Sequence, residues 1–276
     1  MTVRAQADAG NAGAAPQASS FTPAPGAAPL HRMVAAQAAQ EIRNMLRNGE
    51  QLLLIMVIPA LLLAAFSLEA LVSVGGADTR HNRVDFLVPG IIALAIMSTA
   101  FTSQAIATGF ERRYGVLKRL GATPLSRTGL IAAKTTAVVA VELVQAAIII
   151  AVGLALGWRP HAAASGTVWV VLLAVAGTAA FSGLALLMAG TLRAEATLAA
   201  ANLVYLVLLG LGGVLFPLSK FGAGASSLKL LPSGALSDGL HSVLQQAGGF
   251  PVRDLVVLVV WAVAGIGLAG RTFRWE

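Results

Sequence analysis

The sequence predicts an all-α integral membrane protein of six transmembrane helices, preceded by an N-terminal amphipathic interfacial helix. Three observations carry this. Of 276 residues, 57% are hydrophobic and only 11% are charged, against about 25% charged in a soluble domain. Several uncharged runs approach the ~20 residues that cross a hydrocarbon core. Lys and Arg are distributed unevenly between the flanks of those runs, which is how a multi-pass protein encodes its orientation. The competing class, a very apolar soluble helical protein, lacks the charge to coat its surface.

The elements follow in chain order. Residues 1–29 are rich in Ala, Gly, Pro, Ser and Gln, with only Arg4 and Asp8 charged. They lack the compact apolar core of a signal peptide and read as a disordered cytoplasmic tail. Residues 30–50 place Leu30, Val34, Ala38, Ile42, Met45 and Leu46 on one side of a helical wheel. Arg32, Gln40, Arg43 and Arg47 lie opposite. Met33 and Glu41 fit this division imperfectly. Such a helix lies along a membrane surface or packs on another protein surface, and the two are compatible.

Residues 51–270 form the six-span domain. Spanning backbone must satisfy its own hydrogen bonds, so apolar runs are read as helices. They are expected at Gln51–Val74, Phe86–Gly109, Leu130–Gly157, Thr167–Gly190, Thr197–Leu218 and Asp254–Gly270. Residues 271–276 are a short C-terminus. An even count puts both termini on one side. If that side is cytoplasmic, it holds twelve Lys or Arg outside the spans: Arg4, Arg32, Arg43, Arg47, Arg112, Arg113, Lys118, Arg119, Arg127, Arg193, Arg271 and Arg274. The other side holds six: Arg80, Arg83, Arg159, Lys220, Lys229 and Arg253. The bias sets both termini inside. Lys134, near the inner end of the third span, is expected to snorkel to headgroups.

Composition also excludes functions. There is no cysteine, so disulfides, thiol catalysis and cysteine metal sites are excluded, and no metal site is expected. The net charge of +7 would suggest nucleic acid in a soluble protein. In a bilayer it marks topology, and lipids, not nucleic acid, are the expected partner. An intramembrane hydrolase needs its base at the site, yet His31, His81, His161 and His241 all fall outside the expected spans. A non-transporting scaffold or sensor explains the spans but not the loop described next.

Phe110 to Leu130 reads FERRYGVLKRLGATPLSRTGL, the densest basic stretch. Phe110, Tyr114, Leu117 and Leu120 fall on one side of a helix, with Glu111, Arg112, Lys118 and Arg119 on the other. Gly121 ends that helix and Pro124 prevents its resumption. Together with the preceding span, this segment resembles type-2 ABC exporter permeases, the drug-resistance, lipid and polysaccharide exporters. The residues that carry the resemblance are Pro89, Gly90, Glu111, Arg112, Gly115, Leu117, Lys118, Leu120, Pro124 and Leu125. The six-span layout extends it over Leu30 to Gly270, while the Ala/Pro tail departs from the family pattern.

The resemblance implies a permease subunit in the bacterial plasma (inner) membrane, multi-pass, exporting an amphipathic or lipid-like substrate. It implies a separate ABC ATPase subunit and a second permease copy or a related permease. The ATPase-coupling helix would carry Phe110, Glu111, Arg112, Arg113, Tyr114, Gly115, Leu117, Lys118, Arg119, Leu120 and Pro124. Apolar residues would insert into the ATPase and cations would orient on acidic partner residues. No G-x-x-x-x-G-K-S/T loop occurs in the chain, so it is not expected to be an enzyme. ATP and Mg would sit on the partner, with no cofactor bound here.

Within the spans, ionisable and amide groups are translocation-path candidates. Glu142 lies mid-span with Gln145 one turn on, and Gln104 and Asn202 are possible partners. Structural hydrogen bonding between helices is the alternative role. Ser98, Thr99, Thr102 and Ser103 either line a path or bond to local carbonyls. LLPSGALSDGLHSVL, Leu230 to Leu244, resembles the family's pre-final-span segment. It reads as an outer gate or an interfacial packing helix.

Overall fold

The computed structural model describes residues 28–68, 80–160, 164–214, 222, 224–245 and 250–272, and no strand occurs among them. The Ala/Pro tail through residue 27 and the expected end of the first span near Val74 lie outside the described residues. The helices, in chain order, are α1 (Leu30–Arg47), α2 (Gly49–Leu68), α3 (Arg80–Met97), a π-helical turn (Ser98–Ser103), α4 (Gln104–Arg113) and α5 (Val116–Gly121). There follow α6 (Arg127–Ala155), α7 (Ala164–Thr191), α8 (Ala194–Leu211), α9 (Ala225–Leu228), α10 (Pro232–Gln245) and α11 (Val252–Thr272).

Five described helical runs are long and apolar enough to cross a bilayer: Arg83–Arg113, Arg127–Ala155, Gly166–Thr191, Ala194–Leu211 and Val252–Thr272. The expected sixth, at the start of the domain, corresponds to α2. There the apolar helix is Ile55–Leu68, and the expected end of that span lies outside the described residues, so among the described residues the fold is an all-α multi-pass bundle in which five runs meet both criteria.

The centre of the bundle is the continuous run through α3, the π turn and α4, the most buried of the five. Leu87, Ile91, Leu94, Met97 and Phe101 along it are essentially inaccessible. By contrast, α8 and α11 expose Leu203, Leu206, Val207, Val256, Val260 and Val263. An apolar outer face opposite a packed inner one is what lipid as solvent requires.

Where lipid is as apolar as the side chains, helices hold together by close packing rather than by hydrophobic exclusion. The most extensive helix pair, α7 with α11, shows how. Gly183 and Gly265 face each other. A Cβ at Gly183 would stand 2.7 Å from the Ile266 nitrogen and 2.9 Å from the Gly265 carbonyl carbon. The two backbones therefore touch, and only hydrogen fits between them. At the end of the bundle near α10, His241 ties that helix to α3. Its Nε2 lies 2.9 Å from the Phe86 carbonyl oxygen, and its ring stacks obliquely on Phe86 with centroids 4.6 Å apart. Lys229 pairs with Asp238 at 2.7 Å across the α9–α10 turn.

The glycine contact yields a direct test. Gly183→Val should force α7 from α11 and lower stability by about 1–3 kcal/mol, the usual cost of overpacking. Gly267→Ala, on the same helix α11 but with open space around its Cβ, should leave the thermal unfolding midpoint in detergent unchanged. Equal midpoints for the two variants would show that the contact does not hold the pair.

Candidate functional site

The conspicuous site lies where α1, α4, α5 and α6 meet at one end of the bundle. Its centre is Lys134 on α6. This residue does not snorkel: it is only 4% exposed. Its Nζ lies 2.6 Å from Glu111 Oε2 on α4 and 3.1 Å from Glu41 Oε1 on α1. A buried ammonium cannot keep its charge without partners, and here two carboxylates from two other helices supply them. Glu41, which fits the amphipathic pattern of α1 poorly, is accounted for. It faces inward, is itself buried, and accepts a further hydrogen bond from Gln37 Nε2 at 2.8 Å. The surface-lying side of α1 and its inward side are thus not the same stripe. Leu30 and Leu46, assigned to the apolar side, are exposed.

Beside the ion triad sits an apolar cluster. Leu117 of α5, Leu125 and Leu130 are buried together, with Met33, Val34 and Leu120 packed against them. Leu117 is 0% exposed. The turn into α6 is fixed by Ser126, whose Oγ accepts from the Gly129 N–H at 3.0 Å, a standard N-cap. Thr123 Oγ1 donates to the Leu120 carbonyl at 2.6 Å. Charge therefore joins α1, α4 and α6, and packing joins α1, α5 and α6.

The expected single helix from Phe110 to Leu120 is two helices. Its break is at Gly115, whose φ of +71° is left-handed, a conformation that costs a residue with a Cβ. The Tyr114 N–H still donates to the Phe110 carbonyl at 2.9 Å, and α5 restarts when Arg119 N–H reaches the Gly115 carbonyl at 3.2 Å. The result is an elbow. It separates groups that a continuous helical wheel assigns to one face. Tyr114 is 69% exposed and Val116 is exposed beside it, while Leu117 points inward. Phe110 is half-buried and stacks on Tyr114 with ring centroids 6.1 Å apart.

The cations divide in the same way. Arg112 donates to the Leu192 carbonyl and Arg113 pairs with Glu195. Arg112 therefore binds the turn between α7 and α8, and Arg113 the first turn of α8. Lys118 and Arg119 on α5 are exposed, as is Pro124. Of the eleven residues expected to form the coupling helix, the outward set is Arg113, Tyr114, Lys118, Arg119 and Pro124. Glu111 and Leu117 form the inner bracing.

The four polar span residues do not converge on one point. Glu142 Oε2 accepts from Thr178 Oγ1 of α7, while Oε1 is buried without a partner. Gln145 joins three elements: its Oε1 accepts from Thr99 Oγ1 at 3.1 Å, and its Nε2 donates to the Ile55 carbonyl. Glu142 and Gln145 line one apolar cavity of about 170 Å³ between α3, α6 and α7. Gln104 and Asn202 are not among its walls. Asn202 is exposed and donates to the Leu198 carbonyl of its own helix at 3.0 Å. Gln104 is buried next to the ion triad, with neither amide atom bonded.

The π turn accounts for the Ser/Thr-rich stretch between α3 and α4. A π turn holds one more residue than an α turn and often marks a functional position. Thr99 bonds across to α6, whereas Thr102 Oγ1 is buried without a partner.

Lys134→Met should be the most disruptive change at the triad, because it leaves two facing carboxylates without their cation. Breaking a buried pair in this way costs about 3–5 kcal/mol. Glu111→Gln should cost less, and Glu41→Gln, at the longer of the two contacts, least. Thermal unfolding of the purified variants in detergent would show this order. A midpoint for Lys134→Met equal to that of the unmodified chain would mean that the triad bears no load.

Comparison with known proteins fits this architecture. No curated protein matches the chain. Residues 34–233 match the family model described as ABC-2 type transporter, a stretch running from α1 through the elbow and the first four long apolar runs to the start of α10. The chain thus belongs to the ABC-2 type transporter family, as a membrane permease component of an ABC transporter.

Proposed function

We propose that the chain is the permease half of an ATP-driven exporter, in which a separate ATPase docks on the α4–α5 elbow. One observation carries the reading. The elbow presents an exposed aromatic ring, Tyr114, between exposed cations, Arg113, Lys118 and Arg119, while its other face is fixed to α1 and α6 by ions and leucines. An exposed Tyr flanked by basic residues is the composition of an interface anchor. Rigid fixation behind it lets a push on the elbow reach the spans instead of being absorbed locally.

This end of the bundle is the cytoplasmic one on the basic-residue count, which sets both termini inside. A second copy of the permease, or a related one, completes the transporter. The exposed apolar faces of α2, α8 and α11 offer surfaces for it and for lipid. The cargo is amphipathic or lipid-like, since the interior offers apolar walls and few fixed charges. Glu142 and Gln145, in their shared cavity, are the path residues that the geometry favours. Asn202 and Gln104 stand apart from that cavity.

The docking surface is testable at residues that do not brace the fold. In the full chain reconstituted in nanodiscs with its co-purifying ATPase, Tyr114→Asp combined with Arg119→Glu should reduce bound ATPase by about tenfold or more, as loss of an anchor does. Thermal stability of the permease should be unaffected. Unchanged ATPase retention and unchanged ATP hydrolysis would rule out the elbow as the docking point.

A further inference from the structure

Between α1, α4 and α6 lies a half-open cavity of about 250 Å³. We propose that it is a binding site for the cationic head of an amine-bearing amphiphile. Two groups of side chains converge on it. On one wall are Gln104 and Thr108, four residues apart and so on the same face of α4. Both line the cavity, and they are 4% and 0% exposed. Gln104 Oε1, Gln104 Nε2 and Thr108 Oγ1 have no hydrogen-bond partner. Buried polar atoms of this kind are nearly always satisfied, so three of them on one cavity wall define a place for a polar ligand atom.

On the other wall is the ion triad. Glu41, Glu111 and Lys134 all line the cavity. They are its charged lining residues, and two carboxylates against one ammonium leave one negative charge in excess. That excess decides the chemistry. A phosphate or carboxylate head would meet two carboxylates across a low-dielectric gap and be repelled. A neutral polyol would satisfy the amide and the hydroxyl but leave the charge unbalanced. A primary ammonium answers both, since its three N–H donors match in number the Gln104 side-chain oxygen, the Thr108 hydroxyl and one carboxylate. Met45, Phe110 and Val138 supply apolar walls for the first carbons of a tail. The volume is that of a headgroup, smaller than the usual cavity for a drug-sized ligand, so the tail must leave through the open side. An amine-bearing lipid and a free alkylamine share this chemistry.

The proposal concerns binding and holds whichever way transport runs. It can be tested without an ATPase. The full chain in phosphatidylglycerol nanodiscs is photolabelled with a dodecylamine carrying a diazirine beside the nitrogen, and with the matching alcohol and carboxylate. Adducts are mapped by mass spectrometry. The amine should label the segments 44–48 and 110–116 about tenfold more than either analogue, the discrimination that one unbalanced buried charge provides. Gln104→Leu and Thr108→Val should each lower that labelling several-fold, with the unfolding midpoint retained. Adding phosphatidylethanolamine to the nanodiscs should compete if a lipid is the natural source, and unlabelled dodecylamine should compete in either case. Equal labelling by the three probes, or stronger labelling by the alcohol, would overturn the assignment. This comparison is made on the unmodified chain, so it decides the matter even if a variant fails to fold.

Discussion

Lys134 has its positive charge at the point where three helices would otherwise have little reason to meet. The α1 helix lies beside the bundle rather than in it, α4 is the tail of a long central run, and α6 begins a new span. Apolar packing alone is weakly selective among such neighbours, because lipid competes for the same faces. An ammonium buried between Glu41 and Glu111 is selective. Its energy falls away sharply if any of the three helices moves, since each departure leaves a charge unpaired in a poor solvent for charge. The leucine cluster around Leu117 then fills the remaining space. The charge sets the register and the packing makes it durable.

From this constraint the division of labour at the elbow follows. With Glu111 and Leu117 committed inward, and Arg112 drawn to the α7–α8 turn, the outward surface is what remains: Arg113, Tyr114, Val116, Lys118 and Arg119. The same three ions line the cavity beside it, together with Gln104 and Thr108. Attachment surface and cavity are two sides of one joint. Elsewhere the chain is held by different means. Where α7 meets α11, two glycines permit backbone contact.

Much of this was legible in the sequence. The hydrophobic runs gave the class and nearly all the long helices within a few residues, because apolar length is a direct physical requirement of a bilayer. The basic loop is the segment that folds into the elbow. Individual side chains were less legible. Lys134 was assigned to headgroups because a lone lysine near a span end has no partner in a one-dimensional reading. Glu41 looked like a flaw in an amphipathic pattern for the same reason. The two irregularities explain each other only once α1 is laid on α6. A polar residue that spoils a helical stripe, paired with an opposite charge in a span, is the signal that was present. Gly115 was likewise visible as a glycine, but periodicity carried the helix through it, and Leu117 was thereby placed on the wrong side. Gln104 and Asn202 were possible partners of Glu142 as polar groups within spans, and membership of a span does not specify which way a helix faces.

The π turn at Ser98–Ser103 gives that last point a general form. Successive residues of an α-helix are set about 100° apart. A turn that takes in one extra residue therefore rotates everything beyond it by about that angle relative to everything before. The parts of the long central run before and after the turn are consequently out of phase: α3 packs against α2, α6 and α10, while α4 packs against α7 and α8 and sends Glu111 to Lys134 of α6. Which flank Gln104, Thr108 and Glu111 present is governed by a count of residues upstream, as the teeth of a gear are set by its key. The chain thus stores the orientation of its working end in the length of a segment that supplies no residue to the triad or the elbow.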